Sequence, residues 1–230
     1  MQFIVIEGLD GSGKSTQIRY VKEYLEKRDL KTKFIHFPRT DSPIWGELIS
    51  RFLRGELGDI NNVDPYIVAM LYAGDRKDAA ALLEDWMEQN YMVIADRYLY
   101  SNIAFQCAKI EDQTERDKLA KWIKHLEYTY NKIPVPDLNI FLNVPFEFTR
   151  SNLINARNGN DRDYLNGADD IHESDLVLQQ KVREIYIWQV RGNEDFEMID
   201  CSDNNGNMLT SEIISKLLIG KIEQKISLNK

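Results

Sequence analysis

A glycine-rich segment near the N-terminus, GLDGSGKST at residues 8–16, has the residue types and spacing that bind phosphate. It matches the pattern G-x-x-x-x-G-K-[ST], follows an apolar run at residues 3–6 and precedes an amphipathic helical pattern. Glycines let the backbone approach an anion closely, so that N–H groups and the helix N-terminus point at it. Lys14 would reach the β and γ phosphates, and the Ser15 hydroxyl would bind Mg²⁺. The segment predicts a nucleoside triphosphate site rather than an accidental glycine-rich turn.

Further charged side chains follow two later predicted strands. Phe37-Pro38-Arg39 ends one of them and Asp96-Arg97-Tyr98 ends another, and ligands of open α/β sheets bind at such carboxyl ends. Two more arginines, Arg157 and Arg162, stand in a polar segment at residues 157–170. Several separate arginines predict two anionic substrates brought together, with their charge neutralised while a phosphoryl group moves.

The elements that must position these groups alternate along the chain. Apolar runs predict strands at residues 3–6, 33–37, 91–95, 138–142 and 196–199. Helical patterns lie between them, at residues 44–53, 65–88, 101–107, 119–130, 146–156, 173–191 and 209–226. Strands that alternate with helices predict an α/β fold, a P-loop three-layer α/β/α architecture whose central parallel sheet of about five strands is flanked by helices. We expect one domain over residues 1–230, with residues 157–170 as a mobile lid or, alternatively, a disordered surface loop.

Composition limits the classes of partner. The chain has 230 residues and a formal net charge of −8, which argues against a broad nucleic-acid surface. Cys107 and Cys201 lack zinc or disulfide spacing, as expected of small buried side chains in a reduced intracellular protein. No leader pattern and no membrane-length apolar run stands out. We expect a cytoplasmic protein with neither nucleic acid nor membrane as a partner.

Taken together and in order, the motifs resemble those of the thymidylate kinases, within the nucleoside monophosphate kinases. The motifs are IEGLDGSGKST at residues 6–16, Phe37-Pro38-Arg39, LYAGDR at residues 71–76, Asp96-Arg97-Tyr98 followed by Ser101-Asn102, and DIHE at residues 170–173. They span nearly the whole chain. The resemblance implies transfer of the γ phosphate of ATP to thymidine monophosphate with Mg²⁺, on the way to dTTP, by a homodimer.

The resemblance also implies which residues bind the two nucleotides. The triphosphate would be bound by Gly8, Asp10, Gly11, Ser12, Gly13, Lys14, Ser15 and Thr16. The acceptor would be bound by Asp10, Phe37, Arg39, Tyr72, Arg76, Arg97, Ser101, Asn102, Phe105 and Glu173.

The family pattern gives several of these residues specific roles. Arg39 would hold the acceptor phosphate and Arg97 would touch it. Tyr72 would stack on thymine, and Arg76 would hydrogen-bond a thymine carbonyl. A helix-side surface charge for Arg39, an i,i+4 surface pair for Arg76 and core packing for Tyr72 are the alternative interpretations.

The remaining acceptor residues lie around the base and the sugar. Ser101 and Asn102 would line the base, since an amide offers both a donor and an acceptor. Phe105 would lie where a ribose 2′-hydroxyl would go, which favours deoxyribose. Asp10 and Glu173 would reach the 3′-hydroxyl or the metal shell. Helix capping by Ser101 and Asn102, and a first-turn acid at Glu173, are the alternatives.

The resemblance assigns catalysis to Lys14, Asp96, Arg97, Arg157 and Arg162, and Mg²⁺ binding to Ser15 and Asp96, directly or through water. One form of the family carries an arginine inside the P-loop and the other carries it in the lid. Because Gly11 and Ser12 are small, the chain resembles the lid-arginine form. Arg162, the more central of the two lid arginines, is slightly favoured.

Two other functions share parts of this pattern. A deoxynucleoside kinase would phosphorylate a neutral 5′-hydroxyl, whereas Phe37-Pro38-Arg39 favours an anionic acceptor. A non-catalytic nucleotide-binding module would not need Lys14, Ser15 and Asp96 together with lid arginines.

Overall fold

A computed structural model describes residues 2–58, 62–155, 165, 170–173 and 175–228 of the chain. Its strands are β1 (Phe3–Glu7), β2 (Thr32–His36), β3 (Met92–Asp96), β4 (Leu138–Asn143) and β5 (Phe196–Asp200). They form one parallel sheet in the order β2-β3-β1-β4-β5. The predicted α/β fold with about five parallel strands is confirmed.

The helices connect these strands and cover both faces of the sheet. They are α1 (Lys14–Glu26), α2 (Trp45–Leu53), α3 (Pro65–Glu88), α4 (Leu99–Cys107), α5 (Gln113–Lys124), α6 (Phe146–Asn155), α7 (Leu176–Gly192) and α8 (Ser211–Leu228). A π-helical turn, His125–Tyr130, continues α5. Among the described helices, none has both the length and the apolar content needed to cross a membrane.

The alternation of side chains along β1 divides the core into two layers. Phe3 and Val5 pack into a cluster that includes residues of α3, α4, α5 and α7. Ile4 and Ile6 face the opposite way, into a cluster with residues of α1 and α8. Because side chains on a strand alternate between faces, a central strand of this kind is apolar throughout. The three layers follow from that pattern.

Two helix starts show how local sequence sets the element boundaries. The Asp64 side chain accepts a hydrogen bond from Tyr66 N at 2.8 Å, and Pro65 is the first helical residue of α3, as predicted. Helix α7 starts at Leu176, because Asp175 caps it by accepting from Leu178 N at 2.9 Å. The predicted start at residue 173 is therefore wrong.

The carboxyl ends of β1, β2 and β3 meet at one edge of the sheet. Ile6 and His36 both pair in register with Asp96, so the P-loop, the Phe37 turn and Arg97 leave the sheet side by side. Most of the predicted lid, including Arg157 and Arg162, lies outside the described residues.

Candidate active site

A cavity of about 410 Å³ opens at this edge of the sheet. Its walls come from the P-loop, the Phe37 turn, α3, α4 and residues 170–173. The predicted site residues that line it are Asp10, Gly11, Lys14, Ser15, Phe37, Tyr72, Arg76, Asp96, Arg97, Ser101, Asn102, Phe105 and Glu173. The volume is in the usual range for a small-molecule site.

The P-loop depends on glycine backbone geometry at two positions. Gly11 has φ of +69° and Gly13 has φ of +83°, a region that side chains with a Cβ rarely adopt. Gly13 immediately precedes α1, so the loop delivers Lys14 at the N-terminus of that helix. The buried Ser12 hydroxyl has no hydrogen-bond partner within the described part of the chain. The loop therefore has the shape and an uncommitted polar atom that an anion site needs.

Lys14 is a buried cation beside a buried carboxylate. Its Nζ donates to Leu9 O at 2.9 Å and lies 3.8 Å from Asp96 Oδ1. His36 Nδ1 is 3.2 Å from the other oxygen of Asp96. Burial lowers the pKa of Lys14, and Asp96 opposes that shift. Burial raises the pKa of Asp96, but nearby Lys14 brings it below its ordinary value.

Arg97 is fixed by three oxygen atoms from different parts of the fold. Its guanidinium donates to Asp10 Oδ1 at 2.6 Å, Ser101 Oγ at 3.2 Å and Tyr186 OH at 3.4 Å. Although burial opposes the charged form, the Asp10 carboxylate raises the pKa of Arg97. Burial likewise raises the pKa of Asp10, but Arg97 and Lys14 bring it well below its usual range. Both partners of this ion pair therefore stay ionised on the cavity wall.

Glu7 organises the start of α4, a role that sequence reasoning missed. Its Oε1 accepts from Tyr98 N at 2.9 Å and Ser101 N at 3.2 Å. Its Oε2 accepts from the Ser101 hydroxyl at 2.5 Å and from Tyr186 OH at 2.9 Å. The carboxylate from β1 thus satisfies helix N–H groups that the capping interpretation gave to side chains of α4 itself. Its position at the start of IEGLDGSGKST was the available signal.

Aromatic rings line the opposite end of the cavity. Tyr72 and Phe105 both face it, with exposed fractions of 9% and 7%. His172 lies between them, its ring centroid 4.9 Å from that of Phe105 and 6.5 Å from that of Tyr72, tilted 18° from the Tyr72 plane. The buried His172 Nε2 has no hydrogen-bond partner among the described residues. Sequence reasoning gave His172 no role, although it stands in the DIHE motif.

Arg76 and Asn102 form the polar wall of that same end. Both are buried and both bind Glu127, a fully buried carboxylate in the π-helical turn. Arg76 Nε and Nη2 donate to it at 2.5 and 2.8 Å, and Asn102 Nδ2 donates at 2.8 Å. The surface-pair interpretation of Arg76 is therefore wrong. Sequence reasoning missed Glu127, since no local pattern connects it with α3 or α4.

Arg39 does not form part of the cavity wall. Its backbone N and its Nε donate to the Asp75 carboxylate at 2.9 and 2.8 Å, and its Nη2 donates to Asp78 at 2.5 Å. Two carboxylates of α3 thus bind the Arg39 guanidinium. Its neighbours Pro38 and Thr40 do line the cavity, and the role of Arg39 at the acceptor phosphate stays a prediction.

The turn at residues 170–173 brings Glu173 to the cavity wall without a helix. Asp170 Oδ1 accepts from His172 N at 2.7 Å and from Glu173 N at 3.2 Å. Gln179 of α7 ties this turn to the P-loop, because its Nε2 donates to His172 O at 3.0 Å and to Asp10 Oδ2 at 2.9 Å. The expectation that Glu173 opens a helix is wrong, but its place on the wall agrees with a substrate contact.

The oxygens near Lys14 are of the type that Mg²⁺ prefers. Ser15 lines the cavity, and the buried Asp96 Oδ1 accepts no hydrogen bond from any described residue. The described residues hold no group of three or more His, Cys, Asp or Glu side chains that could bind a metal by themselves. One hydroxyl and one carboxylate fit Mg²⁺ bound mainly through water and nucleotide phosphates.

Comparison with known proteins finds similarity to one family in sequence and in structure. The family model for thymidylate kinase matches residues 6–213. A probable thymidylate kinase of Thermococcus kodakarensis is 33% identical over 80% of this chain and 82% of its own length. The thymidylate kinase of Mycobacterium tuberculosis is 30% identical over 80% of this chain and 83% of its own. A solved thymidylate kinase structure from Candida albicans superposes with a TM-score of 0.71 at 26% identity, over 97% of this chain and 91% of that one. With the P-loop, Arg97 and the Arg76–Asn102 wall around one cavity, these matches establish that the chain belongs to the thymidylate kinase family.

Proposed function

We propose that this enzyme transfers the γ-phosphoryl group of ATP to the phosphate of thymidine 5′-monophosphate, forming ADP and thymidine 5′-diphosphate. The observation that carries this proposal is a single cavity with Lys14 of the P-loop and Arg97 at one end, and Arg76 and Asn102 at the other. Such a cavity accommodates an acceptor that has both a phosphate and a hydrogen-bonding base. Family membership supports the same reaction.

At the donor side, the P-loop residues 8–16 bind the triphosphate and Lys14 neutralises charge on the moving phosphoryl group. Ser15 and Asp96 would hold Mg²⁺ directly or through water, and the ion would help to neutralise phosphate charge. The low pKa of Asp96 keeps it ionised for that purpose. The lid arginines Arg157 and Arg162, which lie outside the described residues, remain the predicted third source of positive charge.

Arg97 holds the acceptor phosphate in line with the donor. Its bonds to Asp10, Ser101 and Tyr186 fix its guanidinium before substrate arrives, which lowers the entropic cost of binding. Asp10 stays ionised and is tied to Arg97, so it can also accept from the sugar 3′-hydroxyl or join the metal shell. Glu173, which also lines the cavity, has the same assisting role.

The base binds between the aromatic wall and the polar wall. Tyr72 supplies the stacking face, and Arg76 donates to a thymine carbonyl while Asn102 binds the neighbouring ring nitrogen. Phe37 and Phe105 also line the cavity, and Phe105 would exclude a ribose 2′-hydroxyl. A nucleoside whose only acceptor is a neutral 5′-hydroxyl should bind more weakly, because Arg97 would then lack its phosphate.

The test is ADP formation from ATP and Mg²⁺ with a panel of acceptors. The panel contains thymidine, its monophosphate, and the monophosphates of deoxyuridine, deoxycytidine, adenosine and guanosine. We expect high turnover with thymidine monophosphate and little with thymidine. Turnover with thymidine alone would assign the chain to the deoxynucleoside kinases, and silence with every acceptor would favour a non-catalytic nucleotide-binding module.

We also propose that the enzyme acts as a cytoplasmic homodimer on the way to dTTP. In the sequence, Phe52, Tyr66, Met70 and Phe105 stand on apolar helix faces that fit either a dimer interface or core packing. Phe52 and Phe105 are buried inside the protomer, whereas Met70 is 43% exposed on α3. A shallow groove of about 470 Å³ beside it, which includes Trp45, makes this face of α3 the proposed contact. Sedimentation of the enzyme with Met70→Glu should show a monomer if that face is the interface.

A further inference from the structure

The base end of the cavity depends on a carboxylate that does not itself line the cavity. Glu127 is fully buried, and it lies in the π-helical turn His125–Tyr130 rather than in a regular α-helix. In that turn Asn131 N donates to Leu126 O, five residues earlier, at 2.8 Å. Such wide turns are rare and recur at functional sites. What distinguishes the π-helical turn of this chain is the set of groups that Glu127 binds.

Glu127 determines which way the Asn102 amide faces. Asn102 Nδ2 donates to Glu127 Oε1 at 2.8 Å and to Ala69 O at 3.0 Å. Both partners are acceptors only, so the opposite orientation of the amide would set its oxygen against two oxygens. Both N–H bonds of the amide are therefore used inside the protein. The buried Asn102 Oδ1 is left without a hydrogen-bond partner among the described residues.

The same carboxylate also fixes Arg76, which supplies hydrogen-bond donors where Asn102 supplies an acceptor. A guanidinium has five N–H donors, and the two bonds from Arg76 to Glu127 leave donors over for a ligand. Although burial alone would lower the pKa of Arg76, Glu127 raises it, so this residue presents donors at every working pH. Arg76 thus keeps spare donors and Asn102 keeps an acceptor without a partner among the described residues, and both residues line the cavity.

We propose that Glu127 is a positioning residue that determines the choice of pyrimidine base, an inference that rests on the function proposed above. Thymine and uracil present a carbonyl acceptor next to an N–H donor, which pairs with Arg76 and Asn102. Cytosine presents an amino donor next to a bare ring nitrogen, which sets donor against donor and acceptor against acceptor. Glu127 imposes this pattern from outside the ligand's contact surface, by taking one Asn102 N–H donor while Ala69 O takes the other.

The experiment compares Glu127→Gln with wild type for thymidine and deoxycytidine monophosphates. A glutamine has one acceptor oxygen where the carboxylate has two, so Arg76 or Asn102 must face an NH₂ group. We expect kcat/KM for thymidine monophosphate to fall by about tenfold or more, through KM rather than kcat. We expect the preference for thymidine over deoxycytidine monophosphate to fall by a similar factor. The KM for ATP should stay within about threefold, since the P-loop is untouched.

Two further variants make the result decisive. Glu115→Gln removes an exposed carboxylate from α5 and should behave as wild type. Glu127→Asp keeps the charge, but its side chain is one methylene shorter and cannot bridge both partners, so this variant should also lose base preference. If thermal melting shows that Glu127→Gln is unfolded, Glu127→Asp takes its place in the test. If either folded variant at residue 127 keeps the wild-type preference, the proposal is wrong. If wild type itself does not act on thymidine monophosphate, the proposed function fails instead.

Discussion

The two ends of the cavity are built in different ways. At the phosphate end, the P-loop, Lys14 and Asp96 come from short segments, and Ser12 Oγ and Asp96 Oδ1 have no hydrogen-bond partner among the described residues. At the base end, Arg76 and Asn102 are already bonded to Glu127, which is 51 residues from the first and 25 from the second. The phosphate end thus has charged side chains and polar atoms without partners among the described residues, whereas the base end has donors and acceptors that are already fixed.

This difference separates two demands of the reaction. Charge at the phosphate end has to act on a group that moves, so its contribution is largest in the transition state. Polarity at the base end has to recognise a group that stays still, so it acts equally before and during the reaction. Changes at the phosphate end should therefore lower kcat, and changes at the base end should raise the acceptor KM.

The largest effect is expected for Lys14→Ala. Loss of the P-loop cation should lower kcat by about 10³-fold, because a buried positive charge on the transferring phosphoryl group is removed. The KM for thymidine monophosphate should change by less than about threefold. Steady-state kinetics measure both, with the exposed Lys27→Ala as control. A rise in acceptor KM with unchanged kcat would contradict the division between the two ends.

At the base end, Tyr72→Leu should raise the KM for thymidine monophosphate by about tenfold, since stacking on a ring contributes about 1–3 kcal/mol. Leucine keeps an apolar side chain in the Ile49–Phe52–Val68 cluster, so the fold should persist. Tyr72→Phe keeps the ring and is the matched control, with an unchanged KM. An unchanged KM in the leucine variant would mean that Tyr72 only packs in the core and does not stack on thymine.

The variant Arg39→Ala tests whether Arg39 belongs to the phosphate end of the cavity. Because its guanidinium binds Asp75 and Asp78, Arg39→Ala should lower the free energy of unfolding by about 1.5 kcal/mol, by leaving the buried Asp75 with fewer donors. The KM for thymidine monophosphate should change by less than about threefold. Urea unfolding and kinetics give the two numbers, with the exposed Arg19→Ala as control. A tenfold rise in the KM for thymidine monophosphate without loss of stability would support the predicted contact of Arg39 with the acceptor phosphate.

The smallest effect concerns a cation beside the base end. Lys109 Nζ donates to Gln106 Oε1 at 2.9 Å and lies 5.1 Å from the centre of the Phe52 ring. Burial lowers the pKa of Lys109 from 10.5 to about 8. The folded protein then loses this proton before the unfolded chain does, so between pH 8 and 10.5 this group makes stability rise with pH. Below pH 8 both states are protonated and the destabilisation is fully present.

Lys109→Met should therefore be more stable than wild type by about 1 kcal/mol at pH 7, after its lost contacts are subtracted. The difference should shrink as the pH approaches 10. Chemical unfolding at pH 7, 8, 9 and 10 measures it, and Lys27→Met, exposed at the end of α1, should show no such trend. A difference that stays constant over this range would mean that Lys109 is solvated in the folded state.

Much of the phosphate end followed from the order of residues. The strand, the P-loop and α1 are consecutive in the chain, and the glycines at 11 and 13 have the positive φ that such a loop requires. Apolar runs placed Asp96 and Arg97 at a strand end, and a parallel sheet brings such ends together. A capping pair, Asp64 with Pro65, located α3. All of these signals extend over a few neighbouring residues.

The sequence by itself thus determined the α/β fold, the P-loop and, through the family motifs, several side chains of α3 and α4 that line the cavity. Only the tertiary structure decided the partners of those side chains. It tied Arg39 to Asp75, placed Glu7 under α4, and brought Glu127 to both Arg76 and Asn102. The physical reason is that periodicity and capping report on local backbone preferences, whereas a buried ion pair depends on which distant segments pack together and which polar atoms they leave unsatisfied.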